Sequence, residues 1–140
     1  MDVKIKIDKD GFLPVRAHNT DAGLDIKSAE SGLVPAHGYR TFRTGVHIQL
    51  PHGTAGVLVS KSGLYTKCGI SSTGLIDEGF TGEIKVCLIN NSEDGYEVQA
   101  GDKISQLVII PVCYGDVVRV DELDGGTERG DNGFGSSGKR

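Results

Sequence analysis

The chain has 140 residues, of which 37% are hydrophobic and 24% charged, and its formal net charge is −4 at pH 7. This length predicts one domain, and the acidic balance without a basic stripe gives no indication of nucleic-acid binding. No apolar run approaches a membrane span and the N-terminus has no signal-peptide core, so we expect a cytoplasmic protein without membrane contact.

Three cysteines, Cys68, Cys87 and Cys113, are odd in number and widely spaced, and no CxxC pair occurs. This pattern predicts a reducing compartment and packing roles for the thiols, with neither disulfides nor a zinc site.

Many glycines and β-branched residues, with short apolar runs between turn signals, predict an all-β domain. In chain order, the strand candidates are 3–8, 39–44, 46–50, 56–59, 83–90, 103–112 and 117–120. Turns are predicted at 51–53, 91–95 and 114–116. No eleven-residue stretch carries an apolar helical stripe without a glycine or proline, so we predict no helix. We expect a single-domain jelly roll, sandwich or barrel over residues 1–123 and a hinge with a flexible, glycine-rich tail over residues 124–140.

Two polar segments occur in the first half of the chain. Ala-Gly-Leu-Asp-Ile at 22–26 places Asp25 where it suits either a ligand of metal-bound water or an ordinary turn entering a strand. Segment 59–64 contains a cation, two hydroxyls and a glycine. It can cradle a phosphate with Lys61, Ser62 Oγ and backbone N–H groups, or it can be a plain polar loop.

The second half adds two more segments. Residues 74–83 read as strand, turn and strand. Either they form a hairpin whose Asp77 and Glu78 cap the turn, or Asp77 is a general base at a pocket mouth with Phe80 as a wall for a ring. Gln106 lies within an apolar strand and must be hydrogen-bonded if buried, as part of a structural network or as a ligand contact.

The last twelve residues contain four glycines and one large apolar side chain. Arg129 can fork onto phosphate oxygens, Ser136 and Ser137 can donate to them, and Phe134 can stack on a planar ring. The glycines allow the backbone to close over a ligand. The alternative is a frayed Gly/Ser terminus.

In this order the five segments AGLDI, SKSGL, GLIDEGFTGEIKV, GDKISQL and RGDNGFGSSG resemble the five motifs of the trimeric dUTP diphosphatase (dUTPase) family. The similarity runs from Ala22 to Gly138. It implies hydrolysis of dUTP to dUMP and pyrophosphate on a jelly-roll homotrimer with active sites built across subunit boundaries. That activity would keep uracil out of DNA and supply dUMP for thymidylate synthesis.

The resemblance also implies roles for single residues. Asp77 would activate the water that attacks the α-phosphorus, and Asp25 would hold Mg²⁺ through water. Phe80 would lie under the deoxyribose and Phe134 over the uracil, which backbone groups of strand 70–75 would recognise. The implied substrate contacts are Lys61, Ser62, Gly63, Ser71, Gly74, Ile76, Lys85 and Gln106, with Arg129, Gly135, Ser136 and Ser137 closing from the tail.

Three positions depart from the family pattern: Lys61 replaces the usual arginine, Phe80 a tyrosine and Ser137 a threonine. Lysine keeps the charge and loses the bidentate fork, so the contact with phosphate is expected to be looser or differently shaped. Two alternatives remain open. One is a dCTP deaminase relative, and the other is a regulatory binding protein that uses the dUTP site to switch contacts with a protein partner.

Overall fold

Ten strands and one short helix make up the computed structural model, which describes residues 1–140. In chain order the strands are β1 Lys4–Ile7, β2 Leu24–Lys27, β3 Gly32–Val34, β4 Tyr39–Gln49, β5 Thr54–Val59, β6 Ile70–Ser71, β7 Thr73–Ile76, β8 Glu83–Asn90, β9 Tyr96–Val98 and β10 Lys103–Pro111. The helix is α1, Ser62–Cys68, which is too short to cross a membrane. The predicted all-β class is confirmed.

Two four-stranded antiparallel sheets face each other, in the orders β1-β4-β8-β6 and β2-β10-β5-β7, and β3 pairs with β9 in a small third sheet. Strand β8 alternates buried and more exposed residues from end to end, as expected where one sheet face covers a core. The core between the sheets is aliphatic around one aromatic ring, Phe42, which is fully buried. Both sheets therefore keep one face available for polar side chains.

The predicted strands 39–44 and 46–50 are one continuous strand, β4. Gly45, which suggested a break, adopts a φ of 68° where the pairing with β8 shifts register, so it is a β-bulge. A Cβ at Gly45 would lie 2.6 Å from the Cα of Gly11, and only glycine allows this approach.

Several sequence predictions are wrong. Helix α1 was not predicted because it buries no residue and contains Gly63, so it has no apolar stripe to detect. Residues 117–120 form no strand; Val117 and Val118 are exposed and have no neighbouring strand to pair with. Cys113 is exposed, so it has no packing role within the chain, whereas Cys68 packs against the core.

The plain hairpin interpretation of segment 74–83 is also wrong. Strand β7 pairs with β5 in one sheet, and β8 pairs with β4 and β6 in the other. The turn that contains Asp77 and Glu78 therefore carries the chain from one sheet to the other. Side chains on this turn are placed at the edge of the sandwich, between the two sheets.

Candidate active site

Strand β10 lies between β2 and β5, and its register assembles the first group of predicted site residues. Gln106 is opposite Asp25 on β2 and opposite Val59 on β5. Lys61 follows two residues after Val59, at the N-terminus of α1. Three residues that are far apart in sequence thus meet on the outer face of one sheet.

These residues line a cavity of about 350 Å³, which we call the phosphate-side cavity after the role that the motif resemblance implies for Lys61 and Gln106. Its walls are Ala17, Asp21, Ala22, Gly23, Asp25, Val59, Lys61, Gln106 and Val108. The structure therefore brings Asp25, Lys61 and Gln106 together.

Asp25 is 5% exposed and is bracketed by two ammonium groups. Lys61 Nζ donates to Asp25 Oδ1, and Lys103 Nζ lies 2.9 Å from Oδ2 in an ion pair without good hydrogen-bond alignment. Burial opposes ionisation of Asp25, but Lys61 and Lys103 outweigh it and hold the pKa of this carboxyl below its usual value. Asp25 is therefore a fixed anion in the wall of the cavity.

The side chain of Gln106 is fixed by one hydrogen bond to Ser60 and by close packing against Gly23. Its Nε2 donates to the carbonyl of Ser60 at 3.1 Å, which makes it a network member as one interpretation of the sequence required. Its Oε1 lies where a Cβ at Gly23 would come within 2.6 Å, so only glycine at position 23 leaves room for this amide. The two interpretations of Gln106 are compatible because it also lines the cavity.

Sequence reasoning missed the hydroxyl network behind this wall. Ser72 and Ser105 are 5% and 0% exposed, and their hydroxyls lie 2.8 Å apart. Ser105 Oγ donates to the carbonyl of Val59, and the amide of Ser72 donates to Ser60 Oγ at 2.9 Å. These bonds join β10, the end of β5 and the β6–β7 link. A serine beside Gln106 in an otherwise apolar strand was the available signal.

Helix α1 begins immediately after Lys61, which is its N-cap residue and makes no side-chain capping bond. Ser62 and Gly63 in its first turn are exposed. The first-turn N–H groups of an α-helix have no partner within the helix, so they are donors for an anion approaching Lys61. Residues 59–64 therefore pass from strand β5 into helix α1 and do not form a plain loop. The predicted donors, Lys61, Ser62 and the backbone N–H groups, are all present in this arrangement.

The second group of predicted residues lines another cavity, of about 420 Å³, which we call the nucleoside-side cavity after the role that the motif resemblance implies for Phe80. Its walls are Leu58, Gly74, Leu75, Ile76, Asp77, Phe80, Glu83, Ile84 and Lys85. Five predicted residues, Gly74, Ile76, Asp77, Phe80 and Lys85, are thus brought together.

Phe80 is 45% exposed and its ring covers Gly82, where an added Cβ would lie 2.6 Å from the ring Cζ. Gly82 therefore permits the ring to fold back over its own turn. Asp77 is exposed at the start of that turn, where the amide of Phe80 donates to the Asp77 carbonyl at 3.0 Å. A water molecule can therefore reach the carboxylate of Asp77, which the predicted role of general base requires.

The two cavities open on opposite faces of the sheet β2-β10-β5-β7. Leu58 lines the nucleoside-side cavity and Val59 the phosphate-side cavity. These residues are neighbours on β5, and successive strand residues point to opposite faces. One chain therefore does not present both cavities to one ligand.

The remaining predicted residues lie outside both cavities. Ser71 is half-buried on β6, opposite Ile89 of β8. In the tail, Arg129, Ser136 and Ser137 line a shallow local hollow with Glu128 and Asn132, and Phe134 is fully exposed. Every hydrogen bond of residues 128–140 is made within the last fourteen residues, for example Arg129 Nε to the carbonyl of Asn132 at 2.8 Å.

The family model and the curated relatives that match this chain all indicate one family. A family model described as dUTPase matches residues 9–138. The deoxyuridine 5'-triphosphate nucleotidohydrolase of Tropheryma whipplei (strain Twist) is 42% identical over 135 residues, covering 94% of this chain and 92% of the relative. That of Candida albicans is 43% identical over 132 residues, covering 92% and 82%.

Solved structures show the same fold. The dUTPase of Staphylococcus bacteriophage 80alpha with dUPNHPP superposes with a TM-score of 0.93 at 31% identity, over 98% of each chain. A mutant dUTPase of S. aureus phage phi11, described as coordinating a structural Mg(II) ion, has a TM-score of 0.82 at 28% identity, covering 88% of this chain and 99% of that one. The predicted jelly roll is confirmed by these likenesses.

Proposed function

This chain belongs to the dUTPase family and is a dUTP nucleotidohydrolase, and we propose that it hydrolyses dUTP to dUMP and pyrophosphate at a site shared between the subunits of a homotrimer. The observation that carries the proposal is the division of the predicted site between the two faces of one sheet, with the tail in contact with neither cavity. A nucleotide that contacts Asp77, Gln106 and Arg129 together must therefore bind where different chains meet.

A second feature supports a multichain site. Residues 112–123, which we call the arm, leave the end of β10 with Val117, Val118 and Leu123 between 74% and 99% exposed. A β-prone segment with apolar side chains and no strand beside it is suited to pairing with another copy of the chain. In the proposed trimer the arm packs on a neighbouring subunit and delivers the tail to that subunit's side of the site.

In the proposed reaction Asp77 orients a water and takes its proton as the oxygen attacks the α-phosphorus. Lys61, Gln106 and the first-turn N–H groups of α1 bind the phosphate oxygens, and Arg129, Ser136 and Ser137 close on the terminal phosphate. Displacement at the α-phosphorus leaves dUMP and releases pyrophosphate. Charge neutralisation and positioning are the main requirements of such a transfer.

The donor set of the phosphate-side cavity fits a magnesium ion brought by the triphosphate. Asp21 and Asp25 both line the cavity, and the buried Oδ2 of Asp25 has only the Lys103 ammonium, 2.9 Å away, as its partner. No cluster of three or more metal-ligating side chains occurs in the chain, which suits an ion that takes few carboxylates and several phosphate oxygens. Asp25 would hold it through water, and the bound ion would neutralise phosphate charge.

Substrate selection is assigned to the nucleoside-side cavity. Phe80 lies under the deoxyribose and leaves no room for a ribose 2′-hydroxyl, and Phe134 stacks over the base. Backbone groups of residues 70–75 recognise uracil. The curated relatives from T. whipplei and C. albicans are both named for dUTP hydrolysis, which favours this reaction over the deaminase alternative. The regulatory alternative stays a prediction.

The test is pyrophosphate release from dUTP, with dTTP, dCTP and UTP in parallel, with and without Mg²⁺. We expect rapid, magnesium-stimulated cleavage of dUTP alone. Asp77→Asn, which keeps the shape and removes the base, should lower kcat by about three powers of ten and leave nucleotide binding intact. A folded protein that does not cleave dUTP, or an Asp77→Asn variant with full turnover, would reject the proposal.

A further inference from the structure

Glu78 follows Asp77 directly, yet it does not line the nucleoside-side cavity. Its carboxylate faces away, toward the turn between β4 and β5 and toward the beginning of the arm. Glu78 Oε1 lies 2.7 Å from Nδ1 of His52, and Oε2 accepts hydrogen bonds from the Tyr114 hydroxyl at 2.5 Å and from the amide of Gly53 at 3.3 Å. One side chain thus joins three separate segments.

The beginning of the arm is attached to the same turn by its backbone. The amide of Val112 donates to the carbonyl of Gly53 at 2.8 Å. The Tyr114 and His52 rings stand beside each other with their centroids 6.3 Å apart. The turn at 51–53 is therefore the platform on which both the turn that contains Asp77 and the beginning of the arm are fixed.

The electrostatics agree with this geometry. The hydrogen bonds from Tyr114 and His52 hold the pKa of Glu78 below its usual value, so the carboxylate is ionised at neutral pH. The pKa of Tyr114 is raised, first by its bond to Glu78 and in smaller part by the charge of Asp77. The Tyr114 hydroxyl is therefore a neutral donor that stays bonded to the Glu78 carboxylate at neutral pH.

We propose that Glu78 and Tyr114 form a latch that positions Asp77 and links it to the path of the arm. The latch rests on the proposed function, since it acts on the turn that carries the general base. Neither residue touches the substrate in this account; both are positioning residues. Because the arm leads to the tail, the same bond that orients Asp77 also fixes the direction in which the chain leaves for the neighbouring subunit.

The experiment compares full-length wild type with Tyr114→Phe, which removes only the hydroxyl. We expect kcat for dUTP to fall about 3- to 10-fold with KM unchanged within about twofold, because a small displacement of a base affects the chemical step more than binding. The Phe80 amide, which closes the Asp77 turn, should exchange its hydrogen faster. Tyr39→Phe is the control, since Tyr39 is an exposed tyrosine on another strand; it should change neither quantity.

Variants of Glu78 show whether the two residues act through one bond. Glu78→Gln keeps an acceptor for Tyr114 and Gly53 and should retain most of the turnover, whereas Glu78→Ala should lose about 10-fold. Adding Tyr114→Phe to Glu78→Ala should cost nothing further, since the bond is already absent.

Wild-type turnover and Phe80 exchange in Tyr114→Phe would overturn the latch, as would losses that multiply in the double variant. Failure of the wild type itself to cleave dUTP would instead overturn the proposed function. The exchange rate of the Phe80 amide would still decide whether Tyr114 holds the turn, because that measurement needs no substrate.

Discussion

Asp25 is the residue whose surroundings constrain the phosphate side of the site most strongly. It is buried between Lys61 and Lys103, which keep its pKa low against the opposing effect of burial. Because the folded pKa is below the unfolded value, the ion pairs contribute their full stability above about pH 4. That contribution is lost as the pH falls through the lowered folded pKa.

Replacing this carboxylate tests the ion pairs by stability alone. Asp25→Asn should lower the free energy of unfolding by about 1–2 kcal/mol at pH 7, since it removes two ion pairs with lysines whose ammonium groups stay partly open to water. The difference from wild type should shrink as the pH falls from about 4 through the lowered folded pKa of Asp25, where the native carboxylate takes up its proton. Urea denaturation at pH 7 and at low pH measures it, with the exposed Asp2→Asn as control. A difference that is constant with pH would contradict the assignment.

Replacing Phe80 tests how the site selects deoxyribose over ribose. Phe80→Ala removes the ring that covers Gly82 and widens the nucleoside-side cavity. We expect the ratio of kcat/KM for dUTP over UTP to fall at least about 10-fold, because the ribose hydroxyl no longer meets an aromatic face. Phe12→Ala, at a ring that lines neither cavity, should leave the ratio unchanged. Unaltered selectivity in Phe80→Ala would assign that role elsewhere.

Long strands could be predicted from the sequence, whereas short strands and segments without a neighbouring strand could not. Strand β8 has the predicted bounds, and β1 and β10 differ by one or two residues, because each alternates or carries a sustained apolar run. Strands β3 and β9 have three residues each and lack a detectable period. Segment 70–75 was predicted as one strand, but β6 and β7 belong to different sheets and Ser72 separates them.

The same limit applies to the site. Motifs identified Asp25, Lys61, Gln106, Asp77 and Phe80, and the structure places each of them in a cavity wall. Lys103, Ser72 and Ser105 were missed because their roles depend on register: only the pairing of β10 with β2 and β5 brings them behind or beside the site residues. Periodicity in one chain segment does not specify which strands become neighbours.

We propose that the tail, residues 129–140, contributes to the active site and not to the stability of the fold. Cutting the chain after Glu128 should leave the midpoint of thermal unfolding within about 2 °C, because the removed residues bond only to one another and to Thr127. Hydrolysis of dUTP should fall at least about 100-fold, since Arg129, Ser136 and Phe134 no longer close the site. A cut after Gly138, which removes only the last two residues, is the control and should change neither the unfolding midpoint nor the hydrolysis of dUTP. A large drop in thermal stability would show that the tail is structural.

We propose that the arm forms part of the interface between the subunits of the trimer. Val118 is 74% exposed in the single chain, so Val118→Asp should not disturb the β domain itself. In the proposed trimer the new charge would be buried against a neighbouring subunit, where an unpaired carboxylate destabilises the interface. We expect sedimentation to show monomers with near-native circular dichroism and lost hydrolysis, while Asp116→Asn, at an exposed position before the valines, remains trimeric. A stable, active trimer of Val118→Asp would exclude the arm from the interface.

If one active site is assembled from more than one chain, as we propose, subunits with different defects should complement each other in a mixed trimer. Asp77→Asn and the chain cut after Glu128 are each expected to be nearly inactive alone. Co-refolded in equal amounts, they should recover about a quarter of wild-type dUTP hydrolysis, because about one site in four then combines an intact Asp77 with an intact tail from another subunit. Activity no greater than the sum of the activities of the two separate variants would mean that one site takes its tail and its Asp77 from the same chain. That result would contradict a site shared between subunits.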